Sequence, residues 1–118
     1  MAETALASAS LIAAQVYLYT WTAIPNGNTG APIDTANFTD MTVTIEGTFS
    51  VGGSCTLQGS NDGTNYYSLT DPQGNAITKT AAGIESVTEL PRYVRPTVTA
   101  GDGSTAIQVR ILARRGAR

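Results

Sequence analysis

Few residue types in this chain can do acid–base or metal chemistry. Its 118 residues include no histidine and one cysteine, Cys55. A Ser-His-Asp triad, a thiol–imidazole pair and a zinc site all need histidine or several cysteines. The carboxylates are scattered, and the nearest pair of glutamates is Glu85 and Glu89, four apart. On a strand these two share a face but stand well apart along it, whereas a glycosidase holds two carboxyls about 5 to 10 Å apart in a cleft. The run Asn61-Asp62-Gly63-Thr64-Asn65 is rich in side-chain oxygen. A calcium loop, however, takes about six or more oxygen ligands, usually from several acids. Only Asp62 is acidic here, so the run reads as a turn. Gly27 to Gly30 and Gly101-Asp102-Gly103 do not lead from a buried strand into a helix, so neither reads as a phosphate loop. The expectation is a non-enzymatic protein with no catalytic residue, no metal and no cofactor.

Two groups of residues remain that can contact a partner. Tyr17, Tyr19 and Trp21 recur at every second position, which puts them on one face of a strand. Such a stripe lines a core, fills a protein interface or stacks a sugar, and the spacing leaves all three open. The second group is Arg110, Arg114, Arg115 and Arg118, all in the last nine residues. Residues 1 to 109 set only Lys79, Arg92 and Arg95 against all nine acids, so the body is near −6 and the tail +4. A nucleic-acid binder carries a basic face on its body, so no nucleic-acid partner is expected. The tail either pairs with an acidic patch on a neighbouring subunit or is a solvated, frayed terminus.

The elements that position these groups are strands. Val16 to Ile24 alternates, with Val16, Leu18, Thr20, Thr22 and Ile24 on one side and Tyr17, Tyr19, Trp21 and Ala23 on the other. Asp40 to Phe49 is the cleanest case, with Met41, Val43, Ile45, Gly47 and Phe49 against Thr42, Thr44, Glu46 and Thr48. Ser54 to Ser60 pairs back on it after the Gly52-Gly53 turn. A second reversal at Asn61-Asp62-Gly63 leads into Tyr67 and Leu69. Cys55 is in phase with Leu57 and reads as a small buried apolar residue. Ala76 to Thr80 and Ile84 to Leu90 read as short or bent strands. In Arg92 to Thr99, Pro96 cannot donate a ladder bond, which places that strand on an edge or a bulge. Ser104 to Ala113 closes the set, with Thr105, Ile107, Val109 and Ile111 facing one way. Met1 to Gln15 reads as a short helix or an arm lying on a partner.

About eight short strands separated by Gly, Pro, Asn and Asp clusters give an all-β, jelly-roll-like antiparallel β-sandwich. The domain is placed at 16–113, with an N-terminal arm at 1–15 and a basic C-terminal tail at 114–118. Charged residues make up only 14% of the chain, so Thr, Ser, Asn and Gln must build the surface. So little charge leaves sheet edges weakly protected and makes assembly plausible. Ala5 to Ala14 lacks the basic start of a signal peptide and is too short and too broken by Ser to span a bilayer. No membrane contact is expected. With one cysteine no intrachain disulfide can form, which suits a reducing compartment.

Two stretches carry a resemblance. Leu57-Gln58-Gly59-Ser60-Asn61-Asp62-Gly63-Thr64-Asn65-Tyr66 and Pro91-Arg92-Tyr93-Val94-Arg95 resemble the hairpin and following strand of discoidin-type, galactose-binding-like jelly rolls. Ser60 to Asn75 with Pro91 to Gly103 also resembles small structural proteins of tailed bacteriophages. The resemblance implies a virion protein made in the host cytoplasm, of capsid decoration (cement) type. Its partners would be the major capsid protein and its own copies, in a trimer. Head–tail joining proteins and tail proteins, and a carbohydrate-binding module of a tail or fibre protein, are the alternatives. The residues expected at the protein interface are Tyr17, Tyr19, Trp21, Arg110, Arg114, Arg115 and Arg118.

Overall fold

The computed structural model describes residues 3–115. Among these no residue is helical, and twelve strands follow one another. They are β1 (Glu3–Thr4), β2 (Ser8–Ala13), β3 (Val16–Ile24), β4 (Thr29–Gly30), β5 (Ile33–Asp34) and β6 (Asp40–Thr48). After them come β7 (Ser54–Ser60), β8 (Tyr67–Ser68), β9 (Thr78–Lys79), β10 (Gly83–Ser86), β11 (Tyr93–Ala100) and β12 (Ala106–Arg114). One sheet has the order β10-β6-β12-β3-β2. The other runs β1-β4-β11-β7-β8, with β5 also on β11 and β9 also on β7. All pairings are antiparallel except β1 with β4.

The topology is that of a jelly roll. β4 and β5 act as one interrupted strand along β11, and β8 and β9 as another along β7. With β1 and β2 set aside, eight strands remain. Their sheets then read first-eighth-third-sixth and second-seventh-fourth-fifth, the winding of two nested Greek keys.

Alternation sets the faces. On β6, Met41, Val43 and Ile45 are buried while Thr42, Thr44 and Glu46 are half-exposed. On β12, Ile107, Val109, Ile111 and Ala113 are fully buried. The facing sheet supplies Ile33, Cys55, Leu57, Val94 and Val98. On β6 and β12 sequence and structure agree.

β3 breaks its own period. Trp21 is fully buried, and so is Ile24, which strict alternation puts on the opposite face. The register to β12 slips between Trp21↔Val109 and Ile24↔Ile107, and Ala23 takes a left-handed φ of 52°. The extra residue is a β-bulge, and it returns Ile24 to the core.

Three further expectations change. Ser54–Ser60 does not pair back on β6: as β7 it crosses to the facing sheet, between β11 and the short strands β8 and β9. The stretch read as a helix or arm enters the sheets instead: β2 pairs with β3, and β1 with β4. β11, predicted to lie on an edge or to carry a bulge at Pro96, is interior, and its register shift falls between Val98 and Ala100 instead. Its partners on one side are β5 at Tyr93 and Val94 and β4 at Thr97, so the ladder there is interrupted at Arg95 and Pro96. The proline is therefore accommodated inside the sheet by splitting its neighbour. Its ring is seated on Gly30. A Cβ at Gly30 would lie 2.7 Å from Pro96 Cγ and 2.8 Å from Trp21 Cδ1. Both rings are rigid and buried, so neither can yield cheaply. Gly30→Ala is expected to destabilise the fold by about 1–3 kcal/mol, the usual range for overpacking, as read from urea unfolding midpoints at unchanged slope.

Candidate functional site

The aromatic stripe divides between core and surface. Trp21 sits in the core and donates its Nε1–H to the carbonyl of Ala31 at 3.0 Å. It is not a surface platform. Tyr17 and Tyr19, at the outer end of β3, are half-buried and meet Phe38 from the β5–β6 loop. The Tyr17 and Phe38 rings are 5.6 Å apart and the Tyr19 and Phe38 rings 6.0 Å apart, both edge-to-face. Arg115 closes the cluster. Its guanidinium donates to the Tyr17 hydroxyl at 2.6 Å, and its backbone N–H donates to the Gln15 carbonyl at 2.9 Å. Asp34 and Asn37 complete the rim of a shallow pocket of about 310 Å³. Burial, then the neighbouring Tyr17, raises the Tyr19 pKa.

Of the seven residues predicted at an interface, Tyr17, Tyr19 and Arg115 therefore come together. Arg110 and Arg114 lie on the outward face of β12. There Arg110 pairs with Glu46, and Arg114 pairs with Asp40 at 3.2 Å. They tie β12 to β6 across the sheet. Arg118 lies outside the described residues. Phe38 was missed because it stands alone in a polar loop, with no period to flag it.

A second concavity lies at the loop after β7. Ser60, Asn61, Asp62, Asn65, Tyr67 and Leu90 line part of an open groove of about 490 Å³. Tyr67 is 73% exposed there, although alternation with Leu69 suggested a buried position. The reversal is longer than a two-residue turn. Among Asn61, Asp62 and Gly63 only Gly63 takes a positive φ, +79°. Side chains close the loop. Asp62 Oδ1 accepts the backbone N–H groups of Thr64 and Asn65, both at 2.8 Å, and the Ser60 hydroxyl at 2.8 Å. Oδ2 accepts from Asn65 Nδ2 at 2.9 Å. Both oxygens are directed at the loop's own donors, so the loop is built as a turn and not as a cation cradle.

The two glutamates do not act as a pair. Glu85 binds Lys79 Nζ at 2.5 Å, whereas Glu89 accepts from Thr70 N at 2.8 Å and Thr70 Oγ1 at 2.5 Å. Tyr66, close to the groove in sequence, lies under the Arg95 guanidinium at 3.7 Å. Cys55 is fully buried, and burial pushes its thiol up to about 12. Among the described residues no group of three or more His, Cys, Asp or Glu side chains is placed to hold a metal.

The Asp62 hydrogen bonds make a testable contribution. Backbone N–H groups of Asn65 and Thr64, then Ser60 and Asn65 side chains, hold its carboxyl well below the usual carboxylate range. A depressed folded pKa stabilises the fold above the unfolded value of about 3.9 and loses that stabilisation as pH falls. Asp62→Ala is therefore expected to lower Tm at neutral pH and to match wild type progressively more closely below about pH 4. Thermal melts across that range measure it, and a Tm difference that does not shrink with acid would contradict the assignment.

No family model and no curated protein matches the chain. In fold it is similar to the SPBc2 prophage-derived protein YomS, whose crystal structure superposes with a TM-score of 0.62 at 12% identity. The match covers 88% of this chain and 98% of that one, so it takes in nearly the whole sandwich.

Proposed function

We propose that this chain is a non-enzymatic structural protein of a phage virion, a decoration or cement protein that binds the major capsid lattice at the capsid surface. The observation that carries the reading is the shared fold with a prophage-derived protein over almost the full length of both chains. The arrangement of side chains agrees with it. Glu46, Glu85 and Asp40 sit in ion pairs, and Asp62 and Glu89 brace loops. What the surface offers is the rigid frame itself, with aromatic, amide and aliphatic groups on it. Many identical copies on a lattice convert modest single contacts into strong attachment.

The test uses the purified chain and capsid shells of the phage that encodes it, assembled without it. The chain is expected to sediment saturably with expanded shells and to raise their unfolding temperature. A chain that stays in the supernatant at every concentration overturns the reading. Labelling confined to the neck or tail would replace it with a head–tail joining or tail role.

The groove beside Tyr67 favours a second reading, a carbohydrate-binding module of a tail or fibre protein. An exposed ring rimmed by Ser60, Asn61, Asp62 and Asn65 combines a stacking face with hydrogen-bonding groups. On a glycan array this reading expects saturable binding that Tyr67→Ala lowers by about two- to tenfold, since loss of one ring contact removes about 0.5–1.5 kcal/mol. An array with no signal would dismiss it.

A further inference from the structure

The four sheet edges are not alike. In the seven-stranded sheet the terminal strands β1 and β8 are two residues each, too short to template another strand. In the five-stranded sheet β10 has four residues and carries Glu85, fixed by Lys79. Short length and charge are the usual ways in which edges are kept from pairing. The opposite edge, β2, has neither. It is six residues long, and every one of them is exposed. Its sequence, Ser-Ala-Ser-Leu-Ile-Ala, has no charge and no proline. One bulge interrupts it, between Leu11 and Ala13, and leaves Ser8 to Leu11 in regular register with Thr20 to Tyr17.

The neutrality extends beyond the edge. No charged residue occurs from Thr4 to Ile33, so neither β2 nor its neighbour β3 carries a charge of its own, and Arg115 meets the pair at Tyr17. Leu11 and Ile12 stand on β2 61% and 54% exposed. Leu11 is directly opposite Tyr17, which continues the apolar surface toward Phe38.

We propose that β2 is the contact between two copies of this chain, paired antiparallel about a two-fold axis so that the five-stranded sheets become continuous. Charge selects this occupant. An acidic or basic partner strand finds no counter-charge on β2 itself, while a second copy brings an equally neutral edge and meets no like-charge opposition along it. The contact is also self-complementary. An antiparallel edge presents alternating donors and acceptors that its own two-fold image satisfies, and that image sets Leu11 and Ile12 of each copy beside the other's aliphatic groups. The proposed association is thus a two-fold pair, where the resemblance to phage structural proteins implied a trimer. It does not depend on the virion reading, because it concerns the purified chain alone.

Sedimentation velocity from low-micromolar to sub-millimolar concentration tests it. The wild-type chain is expected to pass from monomer to dimer. Ser10→Lys puts two ammonium groups near each other across the two-fold axis and should weaken the dimer by more than about tenfold. Val51→Lys, at an 80% exposed position in the β6–β7 turn, should leave it unchanged. Hydrogen exchange on the wild-type chain gives an independent reading should the Ser10 variant fold poorly, since amides within Ser8 to Leu11 must gain protection at high concentration. A monomer throughout, a trimer, a dimer indifferent to Ser10→Lys, or exchange in β2 that ignores concentration would each overturn the proposal.

Discussion

β12 makes the sandwich possible, because it is held by register on both sides and by burial on one face. It pairs with β6 from Ala106↔Thr48 to Arg114↔Asp40 and with β3 along nearly its whole length. Every second side chain from Ile107 to Ala113 is removed from water. A slip of one residue against either neighbour would turn that entire row outward and bring Gln108, Arg110 and Leu112 into the core, so the hydrophobic pattern fixes the register. The ion pairs Arg110–Glu46 and Arg114–Asp40 lie on the opposite face and act with the register, not in place of it. At their exposure such pairs contribute little stability, but only the native alignment brings these charges together. The rest of the jelly roll can then be short and irregular, since strands such as β4, β5, β8 and β9 are held by longer neighbours.

The scarcity of charge changes what the acids do. Asp34 accepts from the backbone N–H of Ala36, and Asp71 from those of Gln73 and Asn75. Asp102 binds Ser104 N–H at 2.8 Å and the Ser50 hydroxyl at 2.9 Å, which ties the β6–β7 turn to the β11–β12 turn. Hydrogen bonds from Ser104, then Ser50, hold the Asp102 carboxyl below its ordinary range. With Asp62 these residues serve as turn closures, a role in which a carboxylate substitutes for a missing backbone acceptor. Carboxylates therefore brace turns within the seven-stranded sheet, at Asp62 and Asp71, and connections between the two sheets, at Asp34 and Asp102.

What could be read in advance follows the same division. β6 and β12 were legible because their burial has period two and their apolar residues are β-branched or large. The solvent side of β12 was legible too, but its purpose was not: the partners of Arg110 and Arg114 are more than sixty residues away, and charge runs do not name them. β2 was not legible, since Ala and Ser have weak β preference and its strand state is imposed by β3. β4 and β5 hid inside a Pro- and Gly-rich stretch because a two-residue strand exists only through its partner. The aromatic stripe was found in sequence, but its division was not. Whether a given ring is core or surface depends on how far the second sheet extends over β3, and it covers Trp21 and stops short of Tyr17. Pro96 was assigned to an edge or a bulge by a sound rule, and the exception required Gly30 to be placed beneath it by a different part of the chain.

These features bear on how the chain can recognise anything. Long-range attraction needs net fields, and those decay over about 8–10 Å in physiological salt. Here no charge occurs from Thr4 to Ile33, and many of the charges that follow are held close to a counter-charge or a turn N–H. Association must then be decided at contact, by fit, apolar area and hydrogen bonds made by backbone and amide groups. Such contacts weaken little with salt and are individually modest, which suits a molecule used in many copies more than one that must find a single partner by steering. The stiffness that the turn aspartates impose belongs to the same economy of design: a surface that binds by shape keeps its specificity only if the frame beneath it does not yield.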